Sequence, residues 1–125
     1  VAATIADSIA ARPIMCDLVS AQSAVLEHNI SPEVALRHKH AIGREVETIV
    51  AAIVRAIPDL TAAQAYQVIA YTLLLTAGAW PQTRPPAALQ AAYESDPAVA
   101  ATQMDFTETI RDLITVAIAG QLAIS

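Results

Sequence analysis

The sequence predicts an all-α chain, folded as an orthogonal or antiparallel helical bundle of about five to six helices. Three observations carry that reading. Apolar residues recur at helical spacing along most of the chain, and no strand-like alternation of useful length appears. Helix start signals stand at Ser31-Pro32-Glu33, Thr61–Gln64 and Asp96-Pro97. Two segments, Thr61–Trp80 and the run from Leu113 onward, are apolar all round, so each must be covered on both sides.

Taken in order, residues 2–10 read as a helix that stops before Arg12-Pro13. Pro13 suits the first turn of a second helix, RPIMCDLVSAQSAVLEHN. On it Ile14, Met15, Leu18, Val25 and Leu26 share a face with Gln22 and Asn29 in its middle, while Cys16, Ser20, Ser23 and Glu27 fall on the other side. The helix after Ser31 runs to Ile57, before Pro58. Its apolar face holds Ile42, Val46, Ile49, Val50, Ile53 and Ile57; Arg37, His40, Arg44, Thr48 and Arg55 point away, and His38 and Glu45 lie along one edge.

Thr61 caps the next helix and Gln64 completes a capping box; Gly78 and Pro81 close it. Tyr66, Ile69, Leu73, Thr76 and Trp80 line one face, and Tyr71, Leu74, Leu75 and Gly78 roughly the opposite one. Periodicity leaves open which face looks inward. The bulkier aromatics favour the Tyr66/Trp80 side for the core and the Tyr71/Gly78 side for a partner. Pro81–Pro86 reads as a loop, Ala87–Tyr93 as a short helical segment, and Asp96-Pro97 as another start. The last helix, roughly Thr102–Ala123, carries Phe106, Ile110, Leu113, Ile114, Ala117 and Gln121 on one face.

Two helices apolar all round in one short chain predict a four-helix interface, in which they pack antiparallel and pair with a second copy across a two-fold axis. The expected interface residues are Tyr71, Leu74, Leu75, Gly78, Ile110, Leu113, Ile114, Ala117, Ile118 and Gln121. Small residues Ala77, Gly78, Ala117, Ala119 and Gly120 permit close backbone approach.

Composition agrees. The 125 residues suffice for a single domain with a real core. Hydrophobic residues make up 55% and charged residues 15%, apolar enough to point to a covered surface. The net charge of −5 and the scattering of the seven Lys and Arg argue against a phosphate-gripping surface. Apolar runs are interrupted before about 20 residues, so no membrane span is expected. The start, VAATIADSIA, has no basic n-region of a signal peptide, lacks an initiator Met and begins inside helical pattern, as expected of a piece of a longer chain. A single cysteine excludes an intrachain disulfide and fits a cytoplasmic setting.

Chemistry-bearing constellations are absent from the pattern. His38 and His40 point about 200° apart on a helix and cannot share an ion. Neither a Glu-x-x-His pair, a Cys/His cluster nor a Gly-rich phosphate loop occurs, so neither metal nor cofactor is expected. No histidine is placed by sequence to activate Cys16, a residue type that is usually a small buried hydrophobe. The chain is not expected to be an enzyme. Gln22 within an apolar face, and His38 with Glu45 at the edge of another, either bond protein groups or orient a small molecule in an apolar cavity.

The stretch RPIMCDLVSAQSAVLEHNISPEVALRHK, the TAAQA…LLLTAGAWP helix and the terminal AGQLA together resemble the C-terminal domain of tetracycline-repressor (TetR) type transcriptional regulators. The likeness rests on Arg12, Pro13, Ile14, Cys16, Asp17 and Leu18, then Leu26, Glu27, Asn29 and Ser31, and covers about residues 5–123. These are packing and capping residues and specify the fold better than the ligand. The resemblance implies a homodimer joined through its last two long helices, an effector cavity among the earlier helices, and operator DNA bound only by an N-terminal helix-turn-helix domain that this sequence lacks. The whole of 1–125 is then one effector-binding and dimerisation domain. Face assignments select Met15, Leu18, Gln22, Leu26, His38, Ile42, Val46, Ile49 and Tyr66 as the lining for a small hydrophobic effector. The rival readings are a purely structural dimerisation module with no ligand and a small helical enzyme.

Overall fold

A computed structural model of the chain describes residues 1–22 and 28–124, and these residues hold seven α-helices and no strand. They are α1 (Ala2–Ala10), α2 (Pro13–Ala21), α3 (Pro32–Ala56), α4 (Ala62–Ala79), α5 (Ala87–Ser95), α6 (Pro97–Ala100) and α7 (Phe106–Ile124), with a 3₁₀ turn at Trp80–Thr83. α6 is a single turn, and α5, which has no buried residue, packs against it, so α1–α4 and α7 make the bundle. Val25 and Leu26, assigned above to the apolar face of the second helix, lie outside the described residues.

The start signals act as their chemistry predicts. The Val34 N–H donates to Ser31 Oγ at 3.3 Å, and Pro32 follows the cap. The capping box at α4 is complete, with the Gln64 N–H donating to Thr61 Oγ1 at 3.2 Å and the Thr61 N–H to Gln64 Oε1 at 2.9 Å. Asp96 Oδ1 accepts from the Ala98 N–H at 2.9 Å. The last helix starts later than periodicity indicates, at Phe106, because Asp105 caps it by accepting from the Glu108 N–H at 2.8 Å. Gly78 does not end α4. The helix continues to Ala79 and tightens into the 3₁₀ turn, whose first positions tolerate Pro81 because no donor is needed there.

α4 organises the packing. It runs antiparallel to α7: at one end Gln64 Nε2 donates to the Gln121 carbonyl at 2.8 Å, and at the other Trp80 meets Phe106 edge-to-face with centroids 5.0 Å apart. α1 lies on α7, while α2 and α3 both lie on α4. One core unites Ala6, Ile9, Cys16, Val68, Ala79, Phe106, Ile110 and Ile114. A second, around Ile53, Leu60, Ala65 and Ile69, fastens α3 to the start of α4; Ile5 and Ile118 touch both.

The buried seam of α4 is Ala65, Val68, Ile69, Thr72, Thr76 and Ala79. Thr72 and Thr76 are tolerated there because their hydroxyls donate to the Val68 and Thr72 carbonyls at 2.7 and 2.8 Å. The Tyr66/Trp80 side, expected to face the core, does so at Ile69, Thr76 and Trp80, and the expectation is corrected only at Tyr66 and Leu73. Tyr66 is 53% exposed and Leu73 lies at the surface, while on the side expected to face a partner Tyr71, Leu74 and Gly78 are exposed. The facing of α2 is corrected in the same way. Cys16 is buried with its Sγ 3.4 Å from the Ile9 carbonyl, and Ile14 and Leu18 point outward, 75% and 55% exposed.

Candidate functional sites

Two surface grooves, both flanked by α4, are the concave features of interest. The larger, about 600 Å³, runs along α3 and is lined by Gly43, Val46, Glu47, Val50, Ala51, Val54 and Arg55, with Ala62 and Tyr66 of α4 as its other wall. Residues 46, 50 and 54 form one ridge of α3 at four-residue spacing, and 43, 47, 51 and 55 form the next. The first ridge is half-buried valine. The second is small or charged and exposed. A lining of this type suits an apolar molecule or helix, with Glu47 and Arg55 two turns apart as the polar groups.

The second groove, about 270 Å³, lies between α4 and α7 and is lined by Tyr71, Leu74, Leu75, Leu113, Val116 and Ala117. Every one of these side chains is predominantly apolar. Leu74 is 71% exposed, and a side chain built at Gly78, one turn further along α4, would meet nothing within 4 Å. An apolar strip spanning two helices, with an open flank, is the kind of surface a second molecule covers.

The residues expected to line an effector cavity do not converge on one place. Val46 and Tyr66 meet in the α3–α4 groove. Ile42 is half-buried further along α3, Ile49 stands at the surface, and His38 and Glu45 are exposed. Met15 packs against the main core, Leu18 faces outward, and Gln22 is half-buried just past the end of α2. Leu26 falls outside the described residues. Periodicity identified α3 as a wall but not Val50, Val54 and Ala62 as the groove; the four-residue ridge 46–50–54 is the signal for the first two.

Of the expected interface residues, Tyr71, Leu74, Leu75, Leu113 and Ala117 come together in the α4–α7 groove, with exposed Gly78 on the same helix. Ile118 and Gln121 are half-buried beside it. Ile110 and Ile114 are fully enclosed by the chain's own core, because the same stripe of α7 that meets α4 also meets α1. Val116, the residue periodicity left out, lines the groove instead, three residues after Leu113.

One polar constellation spans elements far apart in sequence. Trp80 Nε1 donates to Asp17 Oδ1 at 2.8 Å, Arg84 lies 3.5 Å from the same oxygen, and the Arg84 guanidinium stands 5.7 Å from the centroid of the Trp80 ring. It ties α2 to the C-terminal end of α4. Next to Asp17, the Cys16 thiol is pushed above its ordinary pKa, first by burial and then by that carboxylate's charge. Cys16 is thus a protonated core residue. Among the described residues no helix is long and apolar enough to cross a membrane, and no three His, Cys, Asp or Glu side chains are grouped to hold an ion.

Comparison with known families places these features in context. A family model described as the tetracyclin repressor-like C-terminal domain matches residues 1–125. Among curated proteins, none matches the chain in sequence.

Proposed function

Because the chain belongs to the tetracycline-repressor-like C-terminal domain family, we propose that it is the effector-sensing and dimerisation domain of a transcriptional regulator of the repressor type. Operator DNA is then contacted by a helix-turn-helix domain outside this sequence, and effector binding alters how two such domains are spaced on their half-sites. The observation that supports this reading most directly is the antiparallel α4–α7 pair with its uncovered apolar groove. Two such pairs facing one another across a two-fold axis make a four-helix interface from Tyr71, Leu74, Leu75, Gly78, Leu113, Val116 and Ala117, edged by Ile118 and Gln121. Ile110 and Ile114 support it from behind.

The effector, a small apolar molecule, is assigned to the α3–α4 groove, where Val46, Val50, Val54 and Tyr66 supply the apolar wall. Sedimentation equilibrium at tens of micromolar is expected to give twice the chain mass; a monomer would refute the dimer. Titration with 1-anilinonaphthalene-8-sulfonate is expected to show a saturable site that is lost when Val50→Trp fills the groove. A ligand-free dimerisation module is the second reading, favoured by the dispersal of Met15, Leu18, His38 and Ile49 away from any common cavity among the described residues. Probe binding that ignores Val50→Trp decides for it.

A further inference from the structure

We propose that the outward ridge of α3 around Ala51 is a second docking surface, whose occupant is α3 of another copy of this chain, packed antiparallel across a two-fold axis through Ala51. The inference does not rest on the effector reading and uses a surface separate from the α4–α7 groove. At about 100° per residue, Arg44, Glu47, Ala51, Val54 and Arg55 share one side of α3. Glu47, Ala51 and Arg55 are exposed there, beside half-buried Val50 and Val54, and form the outer wall of the 600 Å³ groove. Neither Glu47 nor Arg55 takes part in an ion pair among the described residues.

The charge order along this ridge is self-complementary in one orientation only. Glu47 lies four residues before Ala51 and Arg55 four residues after it. Two antiparallel helices centred on Ala51 therefore set Glu47 against Arg55 of the partner subunit, and the reverse pair forms by symmetry. A parallel pairing instead puts Glu47 on Glu47 and Arg55 on Arg55, which the like charges oppose. At the centre the Ala51 methyl group allows the helix axes to approach to about 8–10 Å. The second α3 roofs the groove and leaves Val46, Val50 and Tyr66 as its inner walls. With both surfaces in use, two-fold pairs join into a larger assembly, closed at four chains where the two axes meet at right angles.

Leu74→Glu, which charges the α4–α7 groove at an exposed position, isolates the α3 contact. Sedimentation velocity on that variant is expected to show a monomer–dimer equilibrium that weakens as salt is raised. Adding Glu47→Arg is expected to raise its dissociation constant about tenfold or more, and adding Arg55→Glu as well to restore it. In an oxidising buffer Ala51→Cys is expected to give a disulfide-linked pair, whereas two Ala41→Cys side chains, about 30 Å apart in this register, do not crosslink. The native Cys16 is buried and does not compete. A Leu74→Glu chain that stays monomeric at every concentration overturns the proposal, as does a double charge swap that fails to restore association or an Ala41→Cys crosslink as efficient as that of Ala51→Cys. If Leu74→Glu leaves the wild-type assembly unchanged, the α4–α7 interface fails while the charge swap and the crosslinks still decide the α3 contact.

Discussion

Substituting Leu74 by Glu tests the α4–α7 interface with a magnitude that follows from the structure. Leu74 keeps 71% of its surface exposed in the single chain. Burying that remainder against a second copy is worth about 1–2 kcal/mol, roughly seven-tenths of the transfer term of a leucine. The two-fold axis counts the residue twice, so losing both contacts costs about 2–4 kcal/mol of association free energy. At about 1.4 kcal/mol per decade, that is a dissociation constant raised about 30- to 1000-fold. Desolvating two carboxylates adds to the loss, so these figures are a floor. The measurement is sedimentation equilibrium over a concentration series, with Ala91→Glu on the exposed side of α5 as a charge-matched control. Far-UV circular dichroism should be unchanged, because the side chain contributes little to the chain's own core. A dissociation constant within about threefold of wild type, roughly 0.7 kcal/mol, would refute the assignment of this face.

Other predictions address the fold beneath the sites. Asp17→Ala removes the acceptor for Trp80 Nε1 and the partner of Arg84; half-exposed as this constellation is, about 0.5–1.5 kcal/mol should be lost in urea unfolding. Trp80 is the only tryptophan, so its emission should shift in the folded state as well. Ile114→Ala opens a cavity at a fully buried position and should cost about 2–5 kcal/mol, read from the same urea curves. Cys16 should resist alkylation in the native chain and react readily in denaturant. Its folded pKa is raised, so the stability this thiol contributes is fully present below its ordinary value of 9.0 and is lost as pH rises through the folded value. Cys16→Ala should therefore flatten the alkaline limb of stability against pH.

The helices were legible in the sequence wherever a cap announced them. Ser31, Thr61 and Asp96 sit where their side chains accept the N–H groups that an α-helix leaves free, and this is local chemistry that short sequence windows contain. The pairing of α4 with α7 was legible from their all-round apolarity. Other features depend on contacts between distant residues. Asp17 and Trp80 are 63 residues apart in sequence, and nothing in either neighbourhood anticipates their hydrogen bond. The set of residues selected for an effector cavity disperses because α2 turns Leu18 outward and packs Met15 against the main core, and α3 leaves His38 and Ile49 at the surface. α2 instead turns Cys16 inward, with its Sγ 3.4 Å from the Ile9 carbonyl.

The placement of the larger apolar residues on α2 and α4 bears on function. On α4 the bulkier aromatics favour the Tyr66/Trp80 side for the core, and on α2 periodicity sets Ile14, Met15 and Leu18 on the apolar face. The structure buries Ala65, Val68, Ile69, Thr72, Thr76 and Ala79 on α4 and leaves Tyr66, Tyr71, Leu73 and Leu74 at its surface, while α2 buries Cys16 and exposes Ile14 and Leu18. Small side chains permit a short distance between helix axes, and α2, α3 and α7 all pack on α4. The consequence is that the larger apolar groups, each worth about 1.5–3 kcal/mol when fully covered, are not used by the single chain. Scattered singly they would need no explanation, but on α4 they adjoin Leu113 and Val116 to make a continuous strip. Under the dimer proposed above, a partner chain covers this strip. For α4 the surface that partner would cover includes Leu74, which is why a single charge there is the sharpest test of how the domain assembles.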